Sequence, residues 1–128
     1  MCRFVVSAAA VLCLANSASA QDPAEREKVF ATCKACHQVG EGAKNAIGPE
    51  LNGVVGRKAG SVAGYSYSDA NKNSGITWDE SNLTAYLKDP KAKVPGTKMV
   101  FAGIKDEKKV QDLIAFLKQF DAAGKKAQ

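Results

Sequence analysis

The segment Cys-Lys-Ala-Cys-His at residues 33–37 constrains this chain more than any other feature. Two residues separate Cys33 from Cys36, and His37, the single histidine of the chain, follows at once. This is the attachment pattern of c-type haem. Two thiols about one helical turn apart can add to the two vinyl groups of one porphyrin, and the next side chain then faces the iron. The segment predicts one covalently bound haem c, with His37 as an iron ligand.

Two other uses of these cysteines fit the sequence less well. A thioredoxin-like thiol pair lies within a βαβ pattern, whereas the flanking residues here indicate a helix followed by a glycine-rich loop. A structural zinc site takes four Cys or His ligands, and only three such residues lie together here.

The first twenty residues predict a secretory signal peptide that is removed between Ala20 and Gln21. Arg3 precedes an apolar run at 4–15, and small residues follow it. The run is shorter than the roughly 20 residues that span a bilayer, so no membrane insertion is expected. The remaining residues, 21–128, are expected to form one domain in the periplasm. They keep only the two cysteines of the haem motif.

Basic charge is concentrated in one window of the chain. Without Arg3, the chain carries seventeen basic and thirteen acidic residues, and residues 88–109 hold seven lysines against three acidic residues. A nucleic-acid-binding face would have more arginine and interleaved aromatics, so no nucleic-acid partner is expected. The window predicts a docking surface for an acidic protein partner, although an ordinary solvated face is the alternative. The candidate docking residues are Lys91, Lys98 and Lys105, joined by Lys34.

Capping signals and apolar spacing predict helices, and no segment alternates regularly enough to predict a strand. Four helices are predicted. The first begins at Asp22 and runs to about the haem cysteines, and the second extends from Ser68 to Ser74. The third begins at the 77–80 capping box and ends before Pro90, and the fourth begins near Asp106 or Glu107. The fourth carries one apolar stripe at helical spacing: Val110, Leu113, Ile114 and Leu117. Two long segments, 38–67 and 91–105, are predicted to be irregular, and loops of this length are uncommon in a compact domain. A buried porphyrin would give them an apolar group to pack against.

A second iron ligand is predicted at Met99. It is the only methionine left after removal of the signal peptide, and it follows the Pro95-Gly96 turn. The alternative is a core methionine that fills a packing gap. Ligation by His37 and Met99 would close both axial positions of the iron, which favours electron transfer over catalysis.

Further residues are candidates for contacts around the haem. Pro49 follows Gly48 and offers a carbonyl that could accept a hydrogen bond from the ring of His37. Other side chains could hydrogen-bond the propionates or the Met99 side, or could simply pack: Arg57, Tyr67, Asn71, Trp78 and Tyr86.

The order of these motifs along the chain resembles that in the class I c-type cytochromes, namely mitochondrial cytochrome c and the short bacterial cytochrome c2 type. Ligation of the iron by His and Met is already known for this family. The matching stretches are 33–37, 48–49, 51–58, 65–78, 86–90, 95–105 and 112–118. The resemblance implies an all-α cytochrome c fold. Three longer helices, short helices and long loops would wrap one covalently bound haem, with the first and last helices crossing.

The resemblance also implies a role for each candidate residue. Cys33 and Cys36 would hold the haem, His37 and Met99 would ligate its iron, and the Pro49 carbonyl would orient His37. The residues that would meet the propionates are Arg57, Tyr67 and Trp78. A network beside Met99 would consist of Asn71, Tyr86 and Thr97, and Phe101 would cover the exposed edge of the haem.

The implied function is that of a soluble, monomeric, non-enzymatic one-electron carrier of the periplasm. Its implied partners are acidic faces of quinol–cytochrome c reductase, an oxidase, a photosynthetic reaction centre or a dehydrogenase. One alternative is a small haem enzyme such as a peroxidase, which would need an open axial position. The other is a thiol–disulfide oxidoreductase that uses Cys33 and Cys36.

Four residues depart from the family pattern. Arg26 stands where the family has a glycine at the crossing of the terminal helices, so a looser contact between those helices is expected. Thr32, Ala92 and Asp106 replace lysines of the mitochondrial proteins. The predicted docking face is therefore less basic than the mitochondrial one.

Overall fold

A computed structural model describes residues 22–127, and the predicted signal peptide lies outside these residues. The described part contains five helices: α1 (Pro23–Phe30), α2 (Asp69–Lys72), α3 (Glu80–Lys88), α4 (Pro90–Lys93) and α5 (Glu107–Leu117). Its β pairing is confined to two isolated bridges, one between Lys58 and Thr77 and one between Phe120 and Lys126. The predicted all-α fold is confirmed.

Each helix begins at a side chain that caps a free backbone N–H. Aspartate or serine is the N-cap in every case, and proline follows directly at the start of α1 and α4. The third helix is capped by Asp79, which accepts from the Asn82 amide at 2.8 Å. The prediction of a cap at Thr77 was wrong, because Thr77 pairs with Lys58 in the first β-bridge.

Helix α4 was not predicted, because the sequence analysis placed residues 91–105 in an irregular segment. A four-residue helix has too few positions for an apolar stripe to show. Its start does carry a signal, since Asp89 caps the Ala92 amide at 3.1 Å and Pro90 occupies the first helical position. The same signal predicted α1, whose cap is Asp22.

Helices α1, α3 and α5 meet around the main core. The apolar residues of α5 are buried, as their spacing predicted, and Val110 and Leu113 are completely inaccessible to solvent. The rings of Phe30 and Phe116 stack with centroids 4.8 Å apart. Arg26 is half-buried one helical turn before Phe30, and it does not prevent contact between the terminal helices. The expected loosening at this position is not observed.

The loop after Met99 is held against the end of α3. The Ile104 amide donates to the Leu87 carbonyl at 2.8 Å. Gly103 has a φ of +99°, and a Cβ at this position would overlap the carbonyl oxygen of Lys88. Only glycine suits this position, because it combines a left-handed backbone with close approach to another chain segment. This contact fixes the far end of the loop that carries Met99.

Candidate haem site

The helices and the long loops enclose a cavity of about 430 Å³. This volume lies in the range of about 300–1,000 Å³ that is typical of cofactor sites. Every candidate site residue from the sequence analysis lines it: Cys33, Cys36, His37, Pro49, Arg57, Tyr67, Asn71, Trp78, Tyr86, Thr97 and Met99. Phe101, the residue expected at the exposed edge, lines it as well.

Most of the apolar wall of the cavity was not predicted from the sequence. That wall includes Leu51, Val54, Leu83, Leu87, Leu113 and Leu117. Leu113 and Leu117 were recognised as part of an apolar stripe, but a stripe does not reveal whether its partner is another helix or a cofactor. Tyr65 and Lys98 also line the cavity.

The two cysteines lie on hydrogen-bonded turns that continue the chain beyond α1. The Cys33 amide donates to the Phe30 carbonyl at 2.8 Å, and the Cys36 amide donates to the Cys33 carbonyl at 3.1 Å. Both cysteines are free and both border the cavity. Burial raises the pKa of the Cys33 thiol, and a hydrogen bond with Thr32 partly opposes this rise. One helical turn thus presents both sulfur atoms to the same space.

The ring of His37 is fixed by the turn at 47–49. Its Nδ1 lies 2.7 Å from the carbonyl oxygen of Pro49. A carbonyl only accepts hydrogen bonds, so Nδ1 carries the proton and Nε2 keeps its lone pair. Burial lowers the pKa of His37, the Pro49 bond raises it, and the positive charge of Arg57 lowers it further. A neutral imidazole with a free Nε2 is the form that binds a metal.

Gly48 makes room for this ring. A Cβ added to Gly48 would lie less than 3.0 Å from three ring atoms of His37. We expect Gly48→Ala to displace the ring and to cost about 1–3 kcal/mol of unfolding free energy through overpacking. Denaturant unfolding of the purified haem protein, followed by its visible spectrum, measures both effects.

Gly42→Ala is the control for this prediction. Gly42 has a φ of +76° and no atom within 4 Å of an added Cβ, so this variant tests backbone strain without a clash. It should leave the haem spectrum unchanged. A Gly48→Ala protein with the stability and spectrum of the parent would contradict the steric role of Gly48.

Two hydroxyl groups lie close to Met99, which also lines the cavity. The Tyr86 hydroxyl lies 3.0 Å from the Thr97 hydroxyl and donates to the Met99 sulfur at 3.9 Å. The Met99 amide donates to the Thr97 hydroxyl oxygen at 3.3 Å. Burial raises the pKa of Tyr86, and its hydrogen bond with Thr97 opposes this rise. Tyr86 therefore stays protonated near neutral pH and can donate to the sulfur.

Asn71 adds a buried acceptor to this side of the cavity. Its Oδ1 atom is buried and has no hydrogen-bond partner among the described residues. Buried polar atoms in native proteins are nearly always satisfied, so such an atom indicates a bound group or an ordered water. Asn71, Tyr86 and Thr97, which the resemblance places in one network beside Met99, all line the cavity.

The residues expected at the propionates already have protein partners. The Arg57 guanidinium donates to the carbonyls of Asn52 at 2.9 Å and Glu50 at 3.1 Å, and it lies 3.5 Å from the Glu50 carboxylate. The Tyr67 hydroxyl accepts from the Val62 amide at 3.0 Å. Burial raises the pKa of Tyr67 and lowers that of Arg57. These bonds to protein groups hold both side chains at the cavity wall.

Trp78 is buried beside the Met99 network. Its ring centroid lies 4.7 Å from that of Tyr86, and the two planes are tilted by 44°. The Trp78 backbone pairs with Arg57, since its amide donates to the Arg57 carbonyl at 2.8 Å. Trp78 thus contacts Arg57 through its backbone and Tyr86 through its ring.

These residues fit a covalently attached porphyrin. Two free thiols, a neutral imidazole with a free Nε2 and a thioether border one largely apolar cavity. Gly48 lacks the Cβ that would crowd the imidazole. Within residues 22–127, no group of three or more His, Cys, Asp or Glu side chains could hold a metal ion on its own. No helix among these residues is long and apolar enough to cross a membrane.

Comparison with known proteins agrees with this geometry. The family model for cytochrome c matches residues 24–121. Cytochrome c2 of Blastochloris viridis is 62% identical over 109 residues, which cover 85% of this chain and 86% of that protein. Cytochrome c-550 of Bradyrhizobium diazoefficiens is 65% identical over 96 residues, 75% of this chain and 71% of that protein. The solved structure of cytochrome cH from Methylobacterium extorquens superposes with a TM-score of 0.70 at 59% identity. The superposition covers 76% of this chain and 97% of the cytochrome cH chain. The chain therefore belongs to the cytochrome c family, as a small electron-carrier cytochrome of the bacterial type with one covalently bound haem c.

Proposed function

We propose that this protein is a periplasmic one-electron carrier that shuttles electrons between membrane complexes or dehydrogenases and a terminal acceptor. Cys33 and Cys36 hold the haem, and His37 and Met99 ligate its iron. When bound, the haem supplies a one-electron redox couple. The observation that carries the proposal is the shared cavity of His37 and Met99, the sole histidine and the sole methionine after residue 20.

Closure of both axial positions is what separates a carrier from a haem enzyme. Met99 is held at its amide by Thr97 and at its sulfur by Tyr86. With both ligands in place, a peroxide or oxygen molecule has no open coordination position to occupy. We therefore favour the carrier over the small haem enzyme.

The export of the chain belongs to the same proposal. A signal peptide over residues 1–20 would bring the protein to the periplasm, where the haem is attached to Cys33 and Cys36. The remaining residues contain no other cysteine, so no disulfide competes for these thiols.

The docking partner is proposed to present an acidic face, as quinol–cytochrome c reductase, an oxidase, a reaction centre or a dehydrogenase would. Several lysines at 88–109 have no carboxylate within 4 Å among the described residues: Lys91, Lys93, Lys98, Lys105 and Lys109. Lys98 and Lys105 donate to backbone carbonyls, which leaves their charge uncompensated. Lys34 is a weaker candidate, because Glu27 lies 3.6 Å from its ammonium group.

Lys91 is the cleanest probe of this surface. It is exposed on α4, the helix that leads into the Met99 loop, and its side chain has no hydrogen bond among the described residues. We expect Lys91→Glu to lower the association rate with an acidic redox partner about 3- to 10-fold at low salt, since steering acts on encounter. Stopped-flow electron transfer with purified quinol–cytochrome c reductase at several ionic strengths measures this.

Lys125→Glu is the matched charge reversal. Lys125 is exposed in the C-terminal hairpin that the Phe120–Lys126 bridge closes, and it does not line the cavity. It should slow association much less, and the difference should vanish as salt rises, because charges are screened over about 10 Å at 0.1 M. Equal effects of the two substitutions, or rates that do not depend on salt, would refute docking at this surface.

A further inference from the structure

Two side chains join three separate loops at the edge of the cavity. The Tyr65 hydroxyl donates to the Ile47 carbonyl at 2.8 Å. The Lys98 ammonium donates to the Ser66 carbonyl, and it also lies 4.6 Å from the centroid of the Tyr65 ring. Ile47, Tyr65 and Lys98 all line the cavity. We call Tyr65 and Lys98, with these contacts, the clasp.

The clasp connects the chain segments next to the two proposed iron ligands. Ile47 begins the turn whose Pro49 carbonyl fixes His37. Lys98 directly precedes Met99. Since Tyr65 contacts both the Ile47 carbonyl and the Lys98 ammonium, it ties the turn that supports one proposed ligand to the loop that carries the other.

Contacts within the middle loop hold the local chain around Tyr65. The ring of Tyr65 meets the ring of Tyr67 edge-on at 4.8 Å. The Tyr67 hydroxyl accepts from the Val62 amide at 3.0 Å. These contacts position Tyr65 where it meets the Lys98 ammonium.

The Met99 loop has little other support on its outer side. Val100 is 99% exposed, and Pro95 and Gly96 are exposed as well. Its inner side is held by the hydroxyls of Thr97 and Tyr86. Segments with few buried contacts open locally at low free-energy cost. The contacts of Lys98 therefore add a restraint on the outer side of this loop.

We propose that Tyr65 and Lys98 are positioning residues that hold the Met99 loop closed and so limit how often Met99 leaves the iron. The inference rests on the proposed ligation by Met99. It differs from the docking role of Lys98, which depends only on charge. Removing the Lys98 contacts should raise the population of the open loop about tenfold.

Two measurements on the ferric haem protein test this proposal. Hydrogen–deuterium exchange of the amides at 97–101 reports loop opening without reference to the iron. The rate of imidazole binding reports departure of Met99. Lys98→Ala should raise both rates about tenfold, Tyr65→Phe should raise them less, and Lys98→Arg should restore values close to the parent.

The control is Lys91→Ala, which removes a nearby charge that makes no clasp contact. It should leave both rates unchanged, and exchange in α5 at Leu113 should stay slow in every variant. Equal rates in the parent, Lys98→Ala and Tyr65→Phe would overturn the clasp. So would equal effects of Lys98→Ala and Lys91→Ala, or faster exchange throughout α5. A parent protein that is high-spin would instead contradict the ligation by Met99, and the exchange measurement would still test the clasp.

Discussion

Replacement of Met99 by alanine is expected to abolish the sulfur-to-iron charge-transfer band of the ferric protein, to lower its reduction potential and to let small ligands bind the iron. The substitution removes the only thioether after residue 20. The sulfur has no replacement among the side chains that hold it, since Tyr86 and Thr97 offer only hydroxyl groups. A thioether opposite histidine raises the potential, so its loss should lower the potential by on the order of 0.1 V or more, within the roughly 0.8 V that axial ligation controls.

Val100→Ala is the matched control for this prediction. Val100 is the next residue and is 99% exposed, so its truncation changes the same loop without removing a ligand. Its spectrum and potential should equal those of the parent, measured by visible absorption and by redox titration. A charge-transfer band that survives Met99→Ala, or a parent protein that is high-spin and ferric at neutral pH, would show that Met99 is not the ligand.

Local signals were sufficient to predict much of the fold and the turn that carries the two haem cysteines. The spacing of Cys33 and Cys36 predicts that both lie on one turn, and the structure shows hydrogen-bonded turns there directly after α1. The apolar residues of α5 were likewise recognisable from spacing alone, and the structure buries them. In both cases the interacting residues are three or four positions apart.

Contacts between distant loops could not be predicted in this way. Lys98 and the Ser66 carbonyl are 32 residues apart, and the Tyr65 hydroxyl and the Ile47 carbonyl are 18 apart. No periodic pattern encodes such pairs, since both acceptors are backbone atoms that any residue would provide. The charge of Lys98 suggested docking, whereas its ring and carbonyl contacts became visible only in three dimensions.

The expectation at Arg26 shows a related limit. A side chain at a helix crossing suggests separation, yet α1 and α5 remain in contact because Phe30 and Phe116 meet one turn further along. A bulky residue at one position therefore does not predict the distance between helices when the neighbouring turn supplies the packing.

Substitution of both haem cysteines, Cys33→Ala with Cys36→Ala, is expected to leave a largely unfolded and protease-sensitive chain. Without the haem, the fold would have to maintain a cavity of about 430 Å³. The apolar side chains that line the cavity, among them Leu83, Leu113 and Leu117, would then face water. Apolar surface left in water forfeits about 25 cal/mol per Å² of stabilisation, and whole domains are stable by only roughly 5–15 kcal/mol. Ordering the backbone of the long loops costs about 1–2 kcal/mol per residue. Without the haem, these loops would lose the contacts with the porphyrin that offset this cost.

Far-ultraviolet circular dichroism, limited proteolysis and side-chain NMR of the purified variant measure this loss of structure. Cys2→Ala with Cys13→Ala is the control, because it removes the same number of thiols from the predicted signal peptide. That variant should yield a mature protein with the haem spectrum and stability of the parent. Sharp, dispersed side-chain signals from the protein without haem would show that the chain closes its core unaided. The cavity between His37 and Met99 would then be a preformed site and not the part of the core that the haem completes.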